Sequence, residues 1–316
     1  MALAEREEEG LVGRERGPGF CASGPSRPWE IALRVWVFRS EGFAEQLATL
    51  IALGEEALVV DPPMFREEAI RIGEFAQAQG LEVKWLALTH AHGDHSYGMA
   101  FFPNAIAIAQ REFWSTWRRL APLEAEYFTR VLPRYQIPAL REPDISFKEE
   151  LRLKRAGREV VFRHAPGHSP DGMWVELPAE RLWIMGDTAL PIPYLASGDR
   201  EELRCTLARL LNGWRGGTLV LGHHQVATGE EARRVFEVNL RYLELLPRKV
   251  VSAIKEGKSK REVLALSLSE FGISAAGWEE LAQELHRVNL ELTWEEFFAR
   301  QPGSGAGIRS SASEGG

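Results

Sequence analysis

Residues 86–95 read Leu86-Ala87-Leu88-Thr89-His90-Ala91-His92-Gly93-Asp94-His95. An apolar run ends at Leu88, and four side chains able to ligate a metal follow within six residues, 90–95. In extended backbone the side chains at i and i+2 point the same way, so His90 and His92 can close on one ion. Gly93 then allows a sharp turn, and Asp94 and His95 are presented from the start of a following helix. Imidazole and carboxylate together suit zinc, iron or manganese. A lone histidine is more often a core or surface residue than a ligand. Three of them with an aspartate, directly after a strand, reverse that expectation.

Moving outward, the same context recurs three times. His168 lies in His164-Ala165-Pro166-Gly167-His168-Ser169-Pro170, just beyond an apolar run at 160–164. Asp187 follows Leu182-Trp183-Ile184-Met185-Gly186, and His223 follows Thr218-Leu219-Val220-Leu221-Gly222. Each sits at the C-terminal end of an apolar run, where neighbouring strands deliver side chains to a common edge. Five of the eight histidines are accounted for in this way. At the last position the sequence offers two adjacent imidazoles, His223 and His224.

These residues carry a resemblance. The Thr-His-Ala-His-Gly-Asp-His segment at 89–95, the Gly-His-Ser-Pro turn at 167–170, the Gly-Asp-Thr at 186–188 and the Gly-His at 222–223 resemble the successive motifs of the metallo-β-lactamase superfamily. Leu58-Val59-Val60-Asp61 is similar to that family's aspartate-bearing strand end, which supports the site from behind the ligands. The resemblance covers about residues 31–228. It implies an α/β protein, a four-layer αβ/βα sandwich with metals at one edge of two sheets. It also implies two divalent ions, zinc first and iron or manganese as alternatives. One would take His90, His92 and His168, the other Asp94, His95 and His223, with Asp187 between them. A hydroxide held by both ions would be the nucleophile. Asp94 would be the catalytic residue that orients it, and Asp61 would hold a ligand in place. The resemblance favours His223 over His224 as ligand and leaves His224 to shape the pocket.

The form of the histidine motif is most similar to the glyoxalase II-like branch, which makes hydrolysis of a small-molecule thioester or ester the leading expectation. A phosphodiesterase or endoribonuclease and a lactonase are the alternatives. A sulfur dioxygenase is a further one, and would use a single iron without His223. A lactonase needs a tyrosine close after Asp187; Tyr194, seven residues on, is the nearest and joins His224 as a candidate for contact with substrate.

Composition narrows the partners. The chain has 38 basic and 45 acidic residues, a formal charge of −7, and gives no general attraction to nucleic acid or anionic lipid. Hydrophobic residues make up 45% and charged residues 26%, the balance of an ordinary globular protein that can form homo-oligomers. Cys21 and Cys205 make no disulfide framework and no CxxC pair. No apolar stretch approaches the roughly 18–20 residues that span a bilayer. The opening MALAEREEEG is acidic where a secretory signal is basic and then apolar, so a cytoplasmic enzyme is expected.

Four regions are expected: a disordered tail over 1–28, a catalytic domain over 29–228, a helical C-terminal extension over 229–300 and a second disordered tail over 301–316. Strands are read at 31–38, 47–53, 57–60, 83–88, 105–109, 160–164, 173–177, 182–185 and 219–221, with 173–185 forming a hairpin. Helices are read at 67–79, within 111–136, and at 201–211, where Cys205 is taken as core. In the extension, Ser259–Glu262 and Thr293–Glu296 read as capping boxes, with Gly272 ending the first helix. Gly277–Leu290 carries apolar residues at helical spacing, and His286 is taken as a solvated helix residue. His164 is read as strand filler or as lying behind the site.

Overall fold

Val35, Val37 and Ile51 turn to one side of their strands, and Trp36 and Leu50 to the other; all five are buried. That is period-two alternation in a sheet covered on both faces. The computed structural model describes residues 28–274 and 277–298. In it β1 (Trp29–Ala32), β2 (Val35–Arg39), β3 (Leu47–Leu53), β4 (Glu56–Val60), β5 (Glu82–Leu88), β6 (Ile106–Gln110) and β7 (Ile145–Phe147) lie side by side in that order. Pairing is antiparallel from β1 to β4 and parallel from β4 to β7. A second sheet holds β8 (Glu150–Arg155), β9 (Arg158–His164), β10 (Met173–Leu177), β11 (Leu182–Ile184), β12 (Thr218–Val220) and β13 (Val226–Thr228), in spatial order β13-β12-β11-β10-β9-β8.

The sheets meet through Val37, Leu58 and Val60 on one side and Phe162, Val175, Ile184 and Val220 on the other. Outside the first sheet lie α1 (Arg66–Ala78), the single turn α2 (Gly93–Ser96) and α3 (Phe113–Val131). Ile72 and Ala76 of α1 and Phe113 of α3 join Leu50, Val59, Leu86 and Ala107 in one apolar cluster. Outside the second sheet lie α4 (Arg200–Gly213), α5 (Gly229–Lys255), α6 (Lys260–Leu264) and α7 (Glu279–Phe298). Trp174, Leu219 and Leu221 of that sheet and its loops share a continuous cluster with Leu207, Phe236, Leu243, Leu290 and Trp294 of these helices. The order is helix, sheet, sheet, helix. Helices 229–298 therefore cover the second sheet directly.

The layers are also joined by main chain. Leu47 donates its N–H to Gly222 O at 2.8 Å, His224 to Glu45 O at 3.0 Å and Met173 to Thr89 O at 2.8 Å. At the opposite end the link is a side chain, the Arg158 guanidinium, which donates to Ala52 O at 2.8 Å and Leu33 O at 2.7 Å.

Several local expectations are corrected. The run at 31–38 is two strands, because Arg34 takes a left-handed φ of 53° and folds it into a hairpin. Strands β7, β8 and β13 escape a hydrophobicity reading because each has a single buried side chain, where the equally short β11 and β12 have two. Ser259 does open α6 with a capping box, but α6 ends at Leu264; Gly272 instead closes a separate turn, Leu268–Phe271, opened by a second box at Ser267 and Glu270. Thr293 caps nothing: it lies inside α7 and returns its hydroxyl to Asn289 O at 2.7 Å. Cys205 is exposed rather than core. His286 is buried rather than solvated. The expected tails fall, but for Pro28, outside the described residues, as does Cys21. No helix among the described residues is long and apolar enough to cross a membrane.

Candidate metal centre

Parallel neighbours β4 and β5 end together, placing Asp61 beside Thr89 and His90. The second sheet contributes the loop after β9 with His168, the turn after β11 with Asp187, and the turn between β12 and β13 with His223. Two groups of ligand atoms result, His90, His92, His168 and Asp187 in one and Asp94, His95 and His223 in the other, each within 4.8 Å. His92 Nδ1 is 3.0 Å from both His90 Nε2 and His168 Nε2. His95 Nε2 and His223 Nε2 are 3.1 Å apart, and Asp94 Oδ2 is 3.6 and 3.3 Å from them. A tetrahedral ion with bonds near 2.0 Å has ligand atoms about 3.3 Å apart, so both groups are sized for an ion. Asp187 faces both: its Oδ1 is 3.2 Å from His95 Nε2 and 3.4 Å from His223 Nε2, and its Oδ2 is 3.6 Å from His168 Nε2 and 3.9 Å from His90 Nε2.

Each imidazole is held from behind by an oxygen on its other nitrogen. His90 Nδ1 meets Thr89 Oγ1 at 3.0 Å, and His92 Nε2 meets Ser197 Oγ at 2.7 Å. His95 Nδ1 donates to Asp61 Oδ2 at 2.9 Å, His168 Nδ1 to Tyr194 O at 3.0 Å and His223 Nδ1 to Ala44 O at 2.8 Å. The Thr89 hydroxyl accepts from His90 because its own proton goes to Asp61 Oδ2 at 2.7 Å, and Thr89 N–H occupies Asp61 Oδ1 at 2.7 Å. These bonds fix the tautomer in which each ring, once neutral, turns its lone pair inward. The donor set fits divalent metal. Asp187 Oδ1 is buried without a hydrogen-bond donor, which a cation would satisfy.

Close approach, rather than backbone freedom, explains two glycines. A Cβ on Gly222 would sit 2.0 Å from Asp187 Oδ1. A Cβ on Gly93 would sit 2.2 Å from the Tyr97 ring, and Gly93 has no left-handed φ, so the sharp-turn reading of this residue is replaced by a steric one. Strain gathers at the same edge: Ala44, Glu45, Asp61 and His224 all have φ between 49° and 65°. At 224 this turns the chain back into β13, so His223 enters the cluster while His224 points to Glu45 Oε2 at 2.8 Å and stacks on Trp278 at 6.0 Å.

The two groups differ electrically. Burial holds the pKa of His90 well below the ordinary value, with His95 and His92 adding to it, and it lowers His168 and brings His92 to about 3. These rings are neutral, with lone pairs free. In the other group burial opposes charge, but Asp94, Asp187 and Asp61 outweigh it at His95 and raise its pKa well above the ordinary value. Asp187 and Asp94 do the same at His223, to about 9. Asp94 in turn is held down to about 2 by His95 and His223 against burial. The field that keeps protons on these rings is the field a dication would meet.

Of the remaining sequence candidates, Tyr194 contributes its carbonyl to His168, and its ring lies 6.1 Å from that imidazole. Its loop is pinned by α7: Asn289 donates to Pro193 O at 2.6 Å and accepts from Leu195 N at 3.1 Å. His164 is outside the cluster and meets Pro170 O at 2.9 Å. Thr89, Ser197 and Ala44 were not singled out in the sequence; only Thr89, inside the histidine motif, stood where a support could be sought.

Fold and ligand geometry together define an αβ/βα sandwich with a candidate metal centre at one edge of its sheets. The profile of the metallo-beta-lactamase superfamily matches residues 42–247, and the chain belongs to that superfamily. Among solved structures it is similar to a metallo-beta-lactamase from Pontibacter korlensis, at TM-score 0.54 and 17% identity, over 69% of this chain and 98% of that one. It is similar to FIM-1 from Pseudomonas aeruginosa in its mono-zinc form, at 0.53 and 19%, over 70% and 96%. The stereoselective inverting sec-alkylsulfatase Pisa1 from a Pseudomonas species aligns at 0.66 and 16%, over 88% of this chain and 51% of that one. These likenesses show the fold. In sequence, an atrochrysone carboxyl ACP thioesterase from Pseudocercospora fijiensis is 28% identical over 142 residues, 45% of this chain; the match spans 36% of that relative's length.

Proposed function

We propose that this centre binds two divalent ions and hydrolyses a small-molecule thioester or ester. The observation that carries the reading is Asp187, whose two oxygens face the two ligand groups separately. Ions bound there would supply Lewis acidity and a water acidic enough to ionise near neutral pH. The chain supplies the rest. His90, His92 and His168 offer neutral nitrogens, and Asp61, Thr89, Ser197, Tyr194 and Ala44 keep them and their partners aimed. Asp94 Oδ2 faces His95 and His223, which leaves Oδ1 to accept a hydrogen bond from the attacking water. Asp94 would thereby orient that water for attack. The thioester is favoured over other acyl centres by the thioesterase relative and the glyoxalase II-like motif. A cytoplasmic location is part of the same reading.

Elemental analysis of protein purified without chelator tests the stoichiometry, and a panel of thioesters, esters, lactones, phosphodiesters and short RNAs tests the reaction. Two transition-metal ions per chain with thioester or ester turnover is the expected result. Saturation at one ion after zinc or manganese is restored, or turnover confined to phosphodiesters, would overturn it.

A further inference from the structure

Helix α3 buries one face, and its buried residues Phe113, Thr116, Leu120 and Phe128 follow helical spacing. Glu124 falls in the same stripe, four residues from both Leu120 and Phe128, where an apolar side chain is the ordinary occupant. Burial pushes its pKa up to about 7. A carboxylate so placed needs partners, and it has two. Glu124 Oε1 accepts the Gly93 N–H at 3.0 Å, and Oε2 accepts the Tyr97 hydroxyl at 3.0 Å.

Residues 93 and 97 bracket Asp94 and His95, two members of one ligand group. The turn α2 that carries them is four residues long, and His92, the residue before it, gives no side-chain cap. A helix that short has no stability of its own. Tyr97 is fully buried, and its ring lies against the α-carbon of Gly93, where only glycine leaves room. One carboxylate on a separate nineteen-residue helix thus ties both ends of the ligand-bearing turn.

We infer that Glu124 is a positioning residue for the second metal: by clamping Gly93 and Tyr97 it holds Asp94 and His95 at ligand spacing. The inference rests on the two-metal reading above, because the residues it positions are the proposed second-ion ligands. It also explains why an acidic side chain occupies the apolar stripe of α3.

The test compares the full chain with Glu124→Leu, Glu124→Gln and Tyr97→Phe. Leucine suits the stripe and removes both hydrogen bonds, whereas glutamine keeps an acceptor for Gly93 and a polar partner for Tyr97. Chelator-treated protein is titrated with cobalt(II), read by its visible absorption, and then assayed. Supports behind metal ligands typically contribute about 10- to 100-fold to affinity, so Glu124→Leu is expected to bind the second cobalt that much more weakly. The first cobalt should bind as in the parent, the melting temperature of Glu124→Leu should fall because the Gly93 N–H and Tyr97 O–H lose their acceptor, and kcat should fall with KM little changed. Glu124→Gln should restore both readouts. Tyr97→Phe, which loses one of the two ties, should weaken the second ion less than leucine does, and carries the test if the leucine variant does not fold. Parental second-ion affinity in Glu124→Leu, or in Tyr97→Phe if that variant carries the test, would overturn the inference. So would a glutamine variant as impaired as the leucine one. If the parent itself takes up a single cobalt, the two-metal reading fails instead.

Discussion

A methyl group at residue 222 would overlap Asp187 Oδ1, and the two oxygens of Asp187 face the two ligand groups separately. Gly222→Ala should therefore displace Asp187 and, because the same Cβ would lie 2.8 Å from Gly186 C, shift the turn that carries it. The expected result is a native circular dichroism spectrum with metal content and turnover both lost; full metal in that variant would show that Asp187 is dispensable. His223→Ala should lose one ion and most activity, whereas His224→Ala should keep the metal content and alter KM or substrate preference. Elemental analysis of both variants separates the roles, and the reverse pattern would move the ligand to His224. Side-chain chemistry at this scale was largely legible in the chain: the clustered histidines, the aspartates after apolar runs and the Asp61 strand end all meet at one edge. Which of two adjacent imidazoles turns inward was legible through the resemblance alone, not from the residues themselves. That depends on a left-handed φ at His224, which no apolar pattern records. The supports from Ser197 and the Ala44 carbonyl were hidden for a similar reason, since they come from loops distant in sequence.

Periodicity locates a helix but does not say what its polar residues do once it is buried. His286 is the example. It sits on α7 among charged neighbours and reads as solvated, yet the Tyr242 hydroxyl meets its Nδ1 at 2.8 Å and its Nε2 meets Leu266 O at 3.1 Å. Burial lowers its pKa to about 4. Because the folded value lies below the unfolded one, near 6.5, the unfolded chain binds the extra proton first as pH falls. Stability should be unaffected by this group above pH 6.5 and decline between 6.5 and about 4, by up to about 1.4 kcal/mol per pH unit. Urea midpoints of the parent and of His286→Gln across that window measure it; parallel curves would refute the assignment. Next on the helix, Asn289 is buried and fixes Pro193 and Leu195 on either side of the residue that orients His168. Asn289→Ala would leave those backbone groups unpaired, at about 1–3 kcal/mol for each buried orphan. Lower stability should come with weaker metal retention, by equilibrium dialysis. Unchanged retention would mean the loop holds His168 unaided.

The whole molecule follows from two sheets that must each cover a second face. Alternating strands and amphipathic helices made the layers readable in outline, while the short strands β7 and β13 and the charged β8 carried too little apolar signal to be counted. The helices beyond residue 228 belong to the same apolar cluster as Trp174, Leu219 and Leu221, so a chain ending there should expose that face. Aggregation or a collapsed melting transition is expected, and a soluble, metal-loaded fragment would show that the sandwich stands without them. The main-chain ties between the layers have a further consequence. They lie at Leu47, Glu45 and Thr89, next to the ligands, while the opposite end is linked through the Arg158 side chain. Main chain fastens the ligand-bearing rim and side chains fasten the other, so the ligands sit along the rim whose ties a single side-chain substitution cannot remove.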